Sequence, residues 1–226
     1  MEYKIKNLRK LTLIALMTQF IFISSCSSDG PVMEQPEQIY YDLAQRRMKA
    51  NNYFSAIEAL QAIETNYPFG RYAEQAQSEL IYAYYMNGED EASHEAAEKF
   101  IRLNPRHPNI DYAYFMRGIS SYTRDKGIFA RVFKRDLSDR DISGAKQAFG
   151  ELSEFLTRFP QSQYAPYASQ RLIYLRALIA KNELVVAEYY LRRKAYVAAL
   201  RRAKYVIENI PNTSETMRAL TIAREC

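Results

Sequence analysis

The residue in this chain with the clearest chemistry is Cys26, which ends the run Ile23-Ser24-Ser25-Cys26. A cysteine thiolate is a good nucleophile, and small residues before it suit a signal peptidase. The run matches the bacterial lipobox, in which the sulfur accepts a diacylglycerol and the cysteine becomes the new N-terminus. Lys4, Lys6, Arg9 and Lys10 precede the apolar run Leu11 to Ser24, which has the length of a secretory h-region and is short for a membrane span. Ser27 stands after the cysteine in place of an aspartate, which resembles the outer-membrane address of enteric-type sorting. Residues 1–25 therefore read as a lipoprotein signal peptide, and an acylated Cys26 would carry enough apolar chain for stable membrane anchoring.

Other reactive groupings are weaker. His94 and His107 are thirteen residues apart with no second His or Cys at ligand spacing, so no metal site is expected. The run Asp139 to Gly144 follows the first half of a calcium loop, but Gly150 occupies the twelfth position, where a glutamate is needed. An acidic loop with Ser143 capping the next helix accounts for it. No Ser-His-Asp set, phosphate-binding glycine loop or catalytic cysteine motif is present, so the chain reads as non-catalytic, with no cofactor beyond the covalent lipid on Cys26. Cys26 and Cys226 alone give no disulfide framework. Loss of residues 1–25 removes four basic residues and one acidic, taking 31 basic and 26 acidic residues (+5) to 27 and 25 (+2). That leaves little compositional support for nucleic-acid binding, and no nucleic-acid partner is expected.

The elements that position these residues are marked by proline. Pro68, Pro105, Pro160 and Pro211 sit in TNYPFGRYAEQA, IRLNPRHPNIDYA, TRFPQSQYAPYA and ENIPNTSETMRA. Each ends one helix, because proline cannot continue a helix interior and biases the residue before it away from helical angles. Eight residues after each stands an alanine: Ala76, Ala113, Ala168 and Ala219. Twelve before stands a small residue (Ala56, Ser93, Ala148, Ala199), and five before an apolar one (Ile63, Phe100, Phe155, Val206). Small residues at fixed helical positions let helices approach, and the larger ones fill the space to the next pair. The pattern predicts an all-α, tetratricopeptide-like helical-hairpin solenoid of about nine helices, with four full repeats and a partial fifth.

Residues 26–36 read as the acylated cysteine and a flexible tether, of which Ser27 to Pro36 spans roughly 30 Å when extended, and 37–226 as the repeat domain. In the first hairpin, Tyr40, Leu43, Ala44 and Arg47 share a face, Asn51-Asn52 make the turn, and Tyr53, Ala56, Ile57, Leu60 and Ile63 form the next apolar stripe. The second runs from Tyr72 to Met86, turns at Asn87-Gly88, and continues from Glu91 to Leu103. Asn109 or Asp111 is expected to cap the helix after Pro105, and Thr213 or Ser214 the helix after Pro211. Proline spacing grows from 37 to 55 and 51 residues, against about 34 for the tetratricopeptide class. In the third repeat the excess falls at 125–143, a loop carrying Ile128, Phe129, Val132 and Phe133 among basic residues. In the fourth, nothing but Asn182 interrupts Tyr164 to Arg193, so the excess should lengthen a helix. The last helix, MRALTIAREC, has no partner after it and is expected to expose Leu220 and Ile222.

With lipobox, tether and degenerate hairpins in this order, the chain resembles the BamD family, lipoproteins of the outer-membrane β-barrel assembly machinery. NYPFGRYAEQAQ (66–77), FIRLNPRHPNIDYAYFMRG (100–118), DLSDRD (136–141), SQYAPYASQRL (162–172) and VAEYYLRRKAYVA (186–198) carry the likeness across nearly all of the chain after the leader. It implies a lipid-anchored scaffold on the periplasmic face of the outer membrane. Its implied partners are the POTRA domains of BamA, met by the C-terminal repeats, other lipoproteins of the same machinery, and unfolded outer-membrane proteins, whose C-terminal signal the N-terminal repeats receive. A periplasmic repeat adaptor for cell division or peptidoglycan coordination is the alternative left open.

For substrate capture the sequence offers Tyr40, Tyr41, Tyr67, Phe69, Arg71 and Tyr72 around the first inter-repeat turn, where aromatic pockets and an arginine suit an aromatic-ended peptide carboxylate. For BamA docking, Tyr196, Ala199, Ala203, Val206 and Ile210 fit a buried face, leaving Arg201, Arg202 and Lys204 outward to meet acidic residues. Alignment through AYVAALRR points to Arg202 first, then Arg193.

Overall fold

The computed structural model describes residues 36–124 and 142–226. Cys26, the expected leader, all of the expected tether but Pro36, and residues 125–141 of the expected 125–143 insertion lie outside the described residues. Within them are α1 (Glu37–Lys49), α2 (Tyr53–Asn66), α3 (Ala73–Asn87), α4 (Asp90–Leu103), α5 (Ile110–Arg124), α6 (Ser143–Arg158), α7 (Ala165–Arg192), α8 (Tyr196–Asn209) and α9 (Thr216–Glu225). Each packs on the helix before and the helix after it, and α3 also meets α5 while α7 meets α9. Four hairpins followed by a single helix are the expected solenoid.

The repeat offsets are packing positions. All four alanines eight residues after a proline, all four small residues twelve before, and all four apolar residues five before are at most 1 % exposed. Burying a side chain the size of Phe100 or Phe155 contributes about 2–3 kcal/mol. The inter-repeat turns share one hydrogen-bond pattern. Tyr67, Asn104, Phe159 and Ile210, each just before its proline, donate N–H to the carbonyls of Ile63, Phe100, Phe155 and Val206 at 2.8–3.0 Å. Their ψ angles of 48–58° have left the helical region, as the following proline requires. Five residues after the proline, Ala73, Ile110, Ala165 and Thr216 donate to the carbonyls of Gly70, His107, Ser162 and Thr213 at 3.0–3.2 Å and open the next helix.

The described turns inside the hairpins use left-handed residues. Asn51 has φ 55°, and Asn52 caps α2 by accepting the Ser55 N–H at 3.2 Å. Gly88, at φ 83°, closes α3. Lys194, at φ 57°, follows the Arg193 cap of α7, which runs unbroken for 28 residues and takes up the excess length of the fourth repeat.

Several local expectations are corrected. Asp111 lies inside α5, which leaves Asn109 as the residue before the helix; the Asp111 carboxylate accepts the first-turn N–H of Tyr112 at 2.9 Å and also the Ser162 hydroxyl at 2.6 Å, so it ties two successive inter-repeat turns as well. Ser143 is the first residue of α6, preceded by Ile142 at the cap. Glu215 stands at the cap of α9 with no side-chain cap bond, so neither Thr213 nor Ser214 has that role. Ile222 is buried against the preceding helices, and only Leu220 of the expected pair is exposed. Among the described residues, no helix is long and apolar enough to cross a membrane.

Candidate functional site

The six residues singled out at the first inter-repeat turn do gather there. Tyr41 stacks on Tyr72 with ring centroids 4.4 Å apart, Tyr40 lies 6.5 Å from Tyr67, and the Arg71 guanidinium sits 5.7 Å from the Tyr72 ring. Glu37, in the first turn of α1, reaches back and accepts the backbone N–H of Arg71 at 3.0 Å and of Tyr72 at 2.6 Å. The four tyrosines pack on the cluster of Ala44, Ile57, Leu60 and Ile63, so they form the margin of the first hairpin's core. Phe69 projects fully into solvent, at 99 % exposure.

A larger concavity lies beside this cluster, and none of the six lines it. A groove of about 630 Å³ is walled by Met48, Lys49, Asn51 and Tyr53 from the first hairpin, Gln75, Ser78, Glu79 and Tyr82 from α3, and Asn109, Asp111, Tyr112, Gln163 and Tyr164 from the next two inter-repeat turns. Tyr53 and Tyr82 meet edge to face at 6.0 Å, and Tyr112 lies 5.8 Å from Tyr164. The Glu79 carboxylate in this wall is held by Tyr41 at 2.9 Å, Gln75 at 2.8 Å and Gln45 at 2.6 Å. Burial, then the bond to Glu79, pushes the Tyr41 hydroxyl up to about 12, so it is a fixed donor at neutral pH. Burial, followed by the neighbouring Tyr164, likewise raises the Tyr112 hydroxyl. Tyr82, Tyr112 and Tyr164 line the groove and are not among the residues the sequence singles out. Each is one tyrosine among nineteen, and only the stacking of three repeats puts them on a common wall.

The second predicted set lies at the α7–α8 turn. A cleft of about 600 Å³ is lined by Tyr190, Lys194, Ala195, Tyr196, Val197, Ala198, Arg201 and Arg202. Tyr196, Arg201 and Arg202 therefore share one surface, while Arg193 caps α7 with its guanidinium 5.2 Å from the Tyr189 ring. Tyr196 is 46 % exposed and is not part of the buried face, which Ala199, Ala203, Val206 and Ile210 do form. Arg202 is not simply outward. Its Nη1 donates at 2.8 Å to Glu183, a buried glutamate of α7 that also accepts Lys146 Nζ of α6 at 2.9 Å. Burial alone would raise the Glu183 carboxyl, but the two cationic donors outweigh it and hold the group below its ordinary value. The missed signal was register: Glu183 stands four residues from both Ile179 and Ala187, on the core face of its helix.

His94 is buried between α4 and α6. Its Nε2 lies 2.8 Å from Glu151, which also accepts Ser121 Oγ at 2.7 Å and Gln147 Nε2 at 3.0 Å. Glu98 brings a third possible ligand atom within 4.8 Å of these. The imidazole is thereby engaged as a packing hydrogen bond across the helix pair.

A tyrosine-walled groove and a cation-lined cleft open on a tetratricopeptide-like helical-repeat solenoid. The chain belongs to the YfiO outer membrane lipoprotein family, whose model matches residues 33–226, which places it at the outer membrane. It is 35 % identical over 214 residues to a Vibrio cholerae protein named outer membrane protein assembly factor BamD, covering 95 % of this chain and 89 % of that one. Proteins of the same name from Neisseria gonorrhoeae (34 % over 208 residues, 88 % and 78 % covered) and Xylella fastidiosa (36 % over 205, 89 % and 70 %) are similarly related.

Proposed function

We propose that this chain is a non-enzymatic lipoprotein scaffold for outer-membrane protein assembly. A diacylglycerol on Cys26 anchors it, residues 27–36 tether it, the α7–α8 cleft docks on the POTRA domains of BamA, and the tyrosine groove receives unfolded outer-membrane proteins. The observation that carries this reading is that relatives covering most of the chain are named assembly factors of this kind. The geometry is consistent with it. The groove offers aromatic faces from Tyr53, Tyr82 and Tyr112 and an exposed ammonium at Lys49, which suits an extended segment with aromatic side chains and a terminal carboxylate. The cleft contributes three cations and no carboxylate to its lining, the complement of an acidic protein surface.

Affinity purification of the full-length protein from detergent-solubilised membranes tests the assignment. Recovery of BamA is expected; recovery of peptidoglycan or division factors without BamA would sink it. Depletion should reduce folded β-barrels in the outer membrane.

A further inference from the structure

We propose that Glu183 is a positioning residue for partner docking: from beneath the α7–α8 cleft it holds the Arg202 guanidinium ready for a carboxylate on an acidic protein partner. This deepens the docking reading above and rests on it.

The argument begins with the cost of the carboxylate. The Glu183 side chain is 4 % exposed and sits among Ala180, Leu184 and Ala187, where an uncompensated charge would be strongly unfavourable. One cation is enough to neutralise it, and Lys146 already supplies one, on Oε1. Arg202 adds a second, on Oε2, from a different helix. Charge balance therefore leaves one positive charge over, and it is presented on the cleft side, where Arg202 is 45 % exposed and lines the wall with Tyr196 and Arg201.

The geometry of the contact leaves that charge usable. The Glu183 bond occupies Nη1, while a guanidinium carries five N–H donors in a rigid fork that matches a carboxylate. An arginine free on a helix surface loses rotamer freedom when a partner captures it. Arg202 has already been fixed by a buried acceptor, so less is lost on docking. Lys194 and Arg201, in the same lining, set the sign of the partner's surface, and the absence of any carboxylate from that lining leaves nothing there to compete.

The test is the affinity of the full-length lipoprotein for purified full-length BamA in detergent, measured for Glu183→Gln, Lys146→Gln, Arg202→Ala and the Glu183→Gln/Arg202→Ala double variant, with thermal unfolding alongside. Glu183→Gln and Lys146→Gln both disturb the buried node and both should lower the melting temperature. Glu183→Gln removes the charge that holds Arg202 and leaves a single amide oxygen for two cationic donors, so it should weaken capture by about tenfold, the loss expected for one newly mobile side chain, while Lys146→Gln leaves the carboxylate on Arg202 and stays within about twofold. In the Arg202→Ala background, Glu183→Gln should add nothing. Equal losses from Glu183→Gln and Lys146→Gln, or an undiminished Glu183 effect without Arg202, would mean that the node is only structural and would overturn the proposal. Loss of affinity in Arg202→Ala with none in Glu183→Gln removes the positioning role but keeps the docking surface. No loss in Arg202→Ala removes both.

Discussion

Arg202 of α8 donates to Glu183 of α7 at 2.8 Å, and this pair changes how the basic face after Lys194 must be tested. Reversing the charge with Arg202→Glu would place a second carboxylate against a buried one. Lys146 remains and half of the Arg202 side chain faces water, so the loss is discounted from the buried-pair range to about 1–2 kcal/mol. Urea unfolding should show it as a lower midpoint with an unchanged slope. Reduced capture of a partner by that variant would then mix docking with stability. Arg201→Glu is the cleaner probe, since Arg201 shares the cleft without the bond to Glu183 and should leave the unfolding free energy within about 0.5 kcal/mol of the wild type.

The contrast shows where sequence reading ran out. Periodicity could place Arg202 outside the core stripe, because helical faces repeat locally. It could not supply the acceptor nineteen residues earlier, whose burial depends on how α7 and α8 cross. The same limit explains the groove. The offsets from Pro68, Pro105 and Pro160 were legible and predicted the buried positions of Ala76, Ala113 and Ala168, since each offset is a packing rule of one hairpin. Tyr82, Tyr112 and Tyr164 meet only because successive hairpins stack, and no periodic pattern distinguishes them from core tyrosines. Tyr40, Tyr41, Tyr67 and Tyr72 stood out as a cluster in sequence, and they are one, but mainly as the closing layer of the first hairpin.

The His94–Glu151 pair gives the fold a pH dependence of definite sign. The bond to Glu151 raises the His94 imidazole above its ordinary 6.5, against an opposing contribution from burial, and Glu98 and Glu91 add to the rise. Burial would raise Glu151, but bonds from His94, Ser121 and Gln147 bring it below its ordinary 4.5. The His94 contribution is therefore complete below about pH 6.5 and is lost as pH rises through the folded-state value, while the Glu151 contribution is complete above about pH 4.5 and is lost on acidification. Thermal unfolding of the wild type and His94→Gln should diverge most between about pH 5 and 6 and converge toward alkaline pH. Parallel curves across that range would show that the histidine does not gain its charge in the fold.

Gly118 stands at a close approach of α5 to α6. A Cβ at this position would lie 2.7 Å from Cγ and Cδ2 of Leu152 and 3.3 Å from its backbone nitrogen, and Leu152 is fully buried. In an open helix Gly→Ala would stabilise, by up to about 1 kcal/mol. Here the methyl must displace a packed leucine, so Gly118→Ala is expected to destabilise by about 1–3 kcal/mol. Gly150, with nothing within 4 Å of its would-be Cβ, is the internal control, and Gly150→Ala should be stabilising in the same urea titration.

The tyrosine groove makes a prediction that separates it from the turn cluster. If extended segments enter between Tyr53, Tyr82 and Tyr112, then Tyr82→Ala should weaken binding of a peptide carrying the C-terminal strand of an outer-membrane protein by about 1–2 kcal/mol, the scale of a lost aromatic contact. Tyr82 is 40 % exposed, so its truncation leaves the core intact. Phe69→Ala is the comparison, because Phe69 stands clear of the groove in solvent and its removal costs the fold nothing. Fluorescence anisotropy with a labelled peptide reads both. A large loss for Phe69→Ala with none for Tyr82→Ala would return the capture site to the first inter-repeat turn, with Arg71 beside it as the carboxylate partner. A loss confined to Tyr82→Ala would assign capture to the groove, where Glu79 is already satisfied by Tyr41, Gln75 and Gln45 and Lys49 supplies the positive charge at the wall.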